Sequence, residues 1–238
     1  GNTQEEFATL MSIFDKEGAE VYIADYEHLD VYACRIIVPG MSDIYPAEDL
    51  LLANNSMGAH LRDTLLALPG SEWEPQEYLA LLERLDDEGL DDFTRVRELL
   101  GIASGKDNAW STLRIGELKS MLALAGGDLD QALIWAEWTQ DFNSSVLSPA
   151  RSNYYRCLQT LLLLTQEPER DPAQYYSAFV KMYGQETVDA ASAAISGEER
   201  FNGLFAVDSD LKALPAHQAL LAAYEKLQTA KRRHWAQA

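Results

Sequence analysis

The chain has 238 residues, 47% of them hydrophobic, which is enough for one large domain, or one and a half ordinary ones, and is not the composition of a disordered segment. Its net charge is -19, and the four basic residues of Lys226 to Ala238 leave the rest more acidic still, which argues against a nucleic acid as direct partner. There is no signal peptide and no uninterrupted apolar run near about twenty residues, and the two cysteines give no disulfide framework, so the expected location is cytoplasmic, with no membrane span.

The chain opens on Gly1-Asn2 without a Met and is expected to be a piece of something longer. Thr3 and Glu6 predict a capping box for a first helix, with Phe7, Leu10, Met11 and Phe14 on one face and Gly18 as its stop. The period then changes. Val21 to Ala24 and Val31 to Val38 are β-branched and aromatic and predict an antiparallel pair of strands, with Asp25 to Asp30 turning between them and Pro39-Gly40 ending the second. One helix and two strands are too little for an independent sheet domain. The strands are therefore expected to belong to a sheet whose other members lie upstream.

From about Leu51 onward no strand is expected. Helical patterns cover roughly 55–68, 75–88, 91–101, 109–125, 128–143, 149–165, 171–183, 185–196 and 211–235. The organising stretch is Leu118 to Trp138. Leu118, Met121, Leu122 and Leu124 fall at helical spacing, Gly126 and Gly127 can take positive φ, and Asp128 can cap a second run through Leu129, Ala132, Leu133, Trp135 and Ala136. Such a hairpin needs others stacked on it to bury both apolar faces. Leu158 to Leu164 is apolar nearly all round, so its helix should be central. The final helix carries Leu220, Leu221, Tyr224, Leu227 and Trp235 on one side and should cap the array.

The fold class this predicts is mainly α: a tetratricopeptide-like helical array over 51–238, preceded over 1–50 by the small helix-plus-two-strand remnant. Gly127-Asp128-x-x-x-Ala132-Leu133 sits where that repeat has its helix-to-helix turn and packing alanine. Ser120 fits the repeat's small position, but Gly116 stands in place of its usual Trp and Thr139 in place of an Ala. Repeat-like geometry without regular repeats is therefore expected.

The chemical motifs are weak. Gly101 to Asp107 looks like a phosphate loop, but its glycine spacing is one residue short, Asp107 replaces the magnesium-binding Ser/Thr, and a helix precedes it. A helix C-cap is the better reading. His28, His60, His217 and His234 are dispersed without metal-ligand spacing. Cys34 and Cys157 read as small core residues. The acidic cluster Asp86, Asp87, Glu88, Asp91 and Asp92 reads as a solvated helix junction, with Asp91 or Asp92 as an N-cap. Trp73, Trp110, Trp135, Trp138 and Trp235 read as packing residues, with one or two on a groove. The basic tail Lys231-Arg232-Arg233 follows helix-dipole logic.

Joined together, these pieces resemble the YcaO family. Val21 to Asp25 and Ala33 to Pro46, with a strand running into Val38-Pro39-Gly40, are similar to the end of that family's core domain. Asp92 to Gly101 and Leu113 to Lys119 extend the resemblance along the chain. Family members use ATP and magnesium to activate a backbone amide oxygen. One is associated, as an accessory factor to the methylthiotransferase RimO, with β-methylthiolation of an aspartate in a small-subunit ribosomal protein. The family's nucleotide and magnesium ligands lie upstream of the matched region, so the resemblance places no catalytic, cofactor-binding or metal residue on this chain. Azoline-forming members often end in Pro-x-Pro-x-Pro, whereas this chain ends His234-Trp235-Ala236-Gln237-Ala238. The expected function is a non-catalytic interaction domain, first of all a homodimerisation domain. Its alternatives are a groove recruiting the ribosomal protein or RimO, and a scaffold that only stabilises the upstream ATP-binding domain.

Overall fold

A computed structural model of the chain describes residues 2–26, 33–38, 58–105, 108–167 and 169–235. They fall into two compact units, one of Gly1–Ala53 with Ala219–Ala238 and one of Asn54–Gln218. The turn around 27–32, the Pro39-Gly40 stop and Lys106-Asp107 of the glycine-containing loop lie outside the described residues.

The first unit opens with α1, Thr3–Glu17. Its capping box begins one residue earlier than the Thr3/Glu6 pairing predicts. Asn2 is extended, its side chain accepts from the Glu5 N–H at 2.9 Å, and Glu5 accepts in return from the Asn2 N–H. Gly18 ends the helix at φ 66°. Strands β1, Tyr22–Asp25, and β2, Cys34–Ile37, pair antiparallel with Tyr22 opposite Ile37. Cys34 is exposed, not a core residue, because this two-stranded ribbon covers neither of its own faces.

The second unit is a stack of helices. After the short α2, Arg62–Ala67, come α3, Pro75–Asp87, and α4, Val96–Leu100. Then follow α5, Ile115–Ala125, α6, Leu129–Trp138, and α7, Pro149–Thr165. The last two are α8, Tyr176–Tyr183, and α9, Gln185–Ser196. Helix α3 packs on α5, α5 on α6, α6 on α7, and α7 on α9, which also holds α8. A final helix α10, Pro215–Trp235, starts in this unit and continues in the other.

All 11 residues of α5 are buried, so it, more than the leucine-rich α7, is the centre of the stack. The corner after it differs from expectation at one residue. Gly127 takes φ 74°, but Gly126 stays right-handed, and a Cβ there would stand 2.5 Å from Leu79. Asp128 caps α6 through the Gln131 N–H at 3.0 Å.

The helix expected over 91–101 shrinks to α4. Arg95 is extended and forms an antiparallel bridge with Arg114, closed by Val96 N–H to Leu113 O and Ile115 N–H to Thr94 O, both at 3.0 Å. That bridge also splits the helix expected over 109–125 and is extended pairing where none was expected. Neither Asp91 nor Asp92 caps a helix. Asp91 accepts from the Phe93 N–H within its own turn, and Asp92 accepts from Lys119. The expected 211–235 helix begins only at Pro215, because Leu211 sits in the left-handed region at φ 56°. Leu220, Leu221 and Tyr224 of α10 are exposed. Leu227 and the Trp235 side chain lie outside what is described.

Candidate interaction surfaces

Glu117 and Arg151 form the polar centre of the second unit. Glu117 lies on the fully buried α5, and Arg151 lies in the first turn of α7 behind the Ser148 cap. The Arg151 Nε donates to Glu117 Oε1 at 2.5 Å, and Nη1 donates to the Asn202 carbonyl at 3.0 Å. A wide π-helical turn, Thr139–Asn143, follows α6. It lets Asn143 turn inward and donate to Glu117 Oε2 at 3.1 Å, while Phe142 stays outside. Burial, the largest influence, opposes the charge on Arg151, but the Glu117 carboxylate, with smaller help from Tyr155 and Tyr154, holds the guanidinium above its usual pKa. Burial, then the Glu117 charge, pushes the Tyr155 hydroxyl well above its usual value.

Arg151 also lines a groove of about 980 Å³. Ser148, Tyr154, Glu186, Asn202 and Phe205 complete its polar and aromatic wall. Gly203 is needed there: it takes φ 78°, and a Cβ would stand 2.7 Å from Arg151 Nη1.

A second buried charge is Lys119. Its Nζ lies 2.5 Å from Asp86, 2.6 Å from Asp92 and 4.4 Å from the centroid of the Trp135 ring. The acidic cluster is thus half a structural clasp. Among the described residues no group of His, Cys, Asp and Glu could hold a metal ion, and no helix is long and apolar enough to cross a membrane.

A tryptophan on a groove is found at Trp73, beside Glu77 and Arg84, while Trp138 ends α6 half-buried. Trp138 joins Phe93 and Phe142 in an outer cluster, with ring centroids 5.2 Å from Phe93 and 5.8 Å from Phe142. Phe93 is 47% exposed and Phe142 53%. The Arg114 guanidinium stands 5.7 Å over the Phe93 ring. Trp110 is a core residue whose Nε1 donates to the Phe205 carbonyl at 3.1 Å, and Trp73 is half-buried. Cys157 is buried, and burial alone pushes its thiol up to about 11. Gly101 caps α4 in the left-handed region, so the glycine-containing loop begins as a helix end.

Sequence reasoning missed Glu117, Lys119 and Arg151. The one signal for the first two was that they sit in a helix apolar on nearly every side, where a charge has no free face to occupy.

A family model described as the YcaO cyclodehydratase C-terminal domain matches residues 58–233, and one described as YcaO cyclodehydratase, ATP- and Mg2+-binding, matches residues 1–42. The chain is 74% identical, over 99% of its length, to the Escherichia coli protein named ribosomal protein S12 methylthiotransferase accessory factor YcaO. It is 55% identical over the same share to a Haemophilus influenzae protein described as uncharacterized. In each case it covers 40% of the relative's length. The chain belongs to the YcaO family.

Proposed function

We propose that residues 51–238 form a tetratricopeptide-like interaction domain without catalytic residues of its own, and that its first partner is a second copy of the chain. One observation carries this reading. On α10, Leu220, Leu221 and Tyr224 lie side by side and are 57%, 44% and 59% exposed. Adjacent large apolar side chains left in water mark a contact surface. A two-fold axis would let one stripe cover its own copy, the commonest way a protein self-associates. The helical stack supports the reading, since stacked hairpins present extended surfaces. Residues 1–50, whose Phe7, Ile13, Tyr22 and Ile23 are also exposed, would be the edge of the ATP- and magnesium-binding YcaO domain. The intact parent would then be a cytoplasmic, ATP-dependent accessory factor for β-methylthiolation of an aspartate in a small-subunit ribosomal protein. The name of the Escherichia coli relative supports that assignment.

Light scattering of this chain and of the full-length protein over a concentration series tests the reading. Dimers are expected for both, and monomers for both reject it. A second reading is that the domain recruits the ribosomal substrate or the methylthiotransferase. It is favoured by the aromatic cluster on an acidic chain, since a negative surface attracts a basic ribosomal protein.

A further inference from the structure

We propose that Phe93, Trp138 and Phe142 form a shelf that seats a basic segment of a partner protein, its arginine or lysine heads lying on the rings beside Asp91 and Asp141. The inference rests on the recruiting reading above and gives it a location. Phe93 and Phe142 pack edge to face at 5.7 Å, and both touch Trp138, so three rings form one continuous surface. About half of each phenylalanine remains open to solvent. Rings that were needed only for the core would be turned inward, as Trp110 is.

The charge around the shelf selects the occupant. Asp91 is exposed two residues from Phe93, and Asp141 is exposed next to Phe142. Asp91 is held in place by the Phe93 N–H at 3.0 Å. Along the same outer face of α6, Ile134 is 53% exposed, which adds an aliphatic strip for the uncharged part of a segment. The chain shows this recognition once within itself, where Lys119 is held by the Trp135 face and two aspartates. One edge of the shelf already carries a cation, since Arg114 stands over Phe93 and donates to the Phe142 carbonyl at 3.3 Å, so an incoming basic group takes the open ring faces on the side of the aspartates. A second copy of the chain is the poorer occupant. A two-fold contact through the shelf would press Asp91 and Asp141 against acids of an equally acidic partner.

The test is fluorescence anisotropy of a labelled peptide of alternating arginine and leucine, titrated with the full chain, alongside the same peptide with glutamate for arginine. The arginine peptide should bind and the glutamate peptide should not. Phe93→Ala with Phe142→Ala should weaken binding by about tenfold or more, the scale expected for losing central aromatic anchors. Phe93→Leu with Phe142→Leu, which keeps the apolar bulk, should also weaken it. Met182→Ala, an exposed change elsewhere, should leave it unaltered. Circular dichroism checks that each variant keeps its helices. If the arginine peptide binds equally to wild type and to the ring variants, the shelf is rejected and only general acidity recruits. If no variant and no wild-type chain binds it, the recruiting reading falls as well. If the ring variants change the mass of the chain in solution instead, the shelf is a contact between copies and the proposal is overturned.

Discussion

Trp138 occupies the space that a side chain at position 116 would need: a Cβ on Gly116 would stand 2.5 Å from the Cε3 and Cζ3 atoms of the indole. The glycine on α5 and the tryptophan at the end of α6 are therefore one packing unit. Gly116→Ala should destabilise the chain by about 1–3 kcal/mol, because overpacking a rigid ring outweighs the helix-propensity gain of about 1 kcal/mol. Urea unfolding measures this, and the loss should shrink when Trp138→Leu is combined with it.

Glu117 and Arg151 should behave as a buried pair. With Glu117 fully buried and Arg151 nearly so, Glu117→Leu or Arg151→Met alone strands the other group. Either should cost about 3–5 kcal/mol, whereas Glu117→Leu with Arg151→Met should recover much of it. A double-mutant cycle in urea decides this. Equal, additive losses would show that the pair is not coupled.

His217 gives the fold an acid-sensitive contact. Its Nδ1 accepts the Ala103 N–H at 3.2 Å, which requires a neutral ring with that nitrogen unprotonated. Burial, and then the charge of Arg62, lowers its pKa from the ordinary 6.5. The unfolded chain therefore takes up the proton first. The contribution is present above pH 6.5 and is lost as the pH falls through the lowered folded value. Melting temperatures between pH 8 and pH 5 should drop further for the wild type than for His217→Gln, whose carbonyl can still accept that N–H.

The two cysteines should separate by reactivity. Cys34 is exposed, whereas Cys157 is buried with its thiol pushed up to about 11. Iodoacetamide at pH 8 should label Cys34 in the native chain and both cysteines only after unfolding, as mass spectrometry can read. Prompt native labelling of Cys157 would mean that α7 opens readily.

Local signals in the sequence located the hairpin of α5 and α6 well. The spacing of Leu118, Met121 and Leu122, the left-handed Gly127 and the Asp128 cap all act within a few residues of themselves. What stayed hidden acts across the chain. Gly126 is small because Leu79 packs there, Glu117 is paired 34 residues away, and Lys119 is clasped by Asp92 27 residues away. Boundaries failed where a tertiary contact broke a good helical period, as at the Arg95–Arg114 bridge. The aromatic shelf was half legible. A groove tryptophan was expected and Trp73 lines one, but Phe93 and Phe142 reach Trp138 from a turn and a π-helical turn that no period-3.6 reading shows.

The stripe on α10 bears most directly on the central claim that this domain associates with a second copy of itself. Sedimentation equilibrium of the wild-type chain, set beside Leu220→Asp with Tyr224→Asp, measures it at positions whose exposure keeps the change out of the core. A wild-type mass twice that of one chain, reduced to a single chain in the double variant, is the predicted result. A wild-type chain that stays monomeric at every concentration, or a variant that dimerises as well as the wild type, would contradict it.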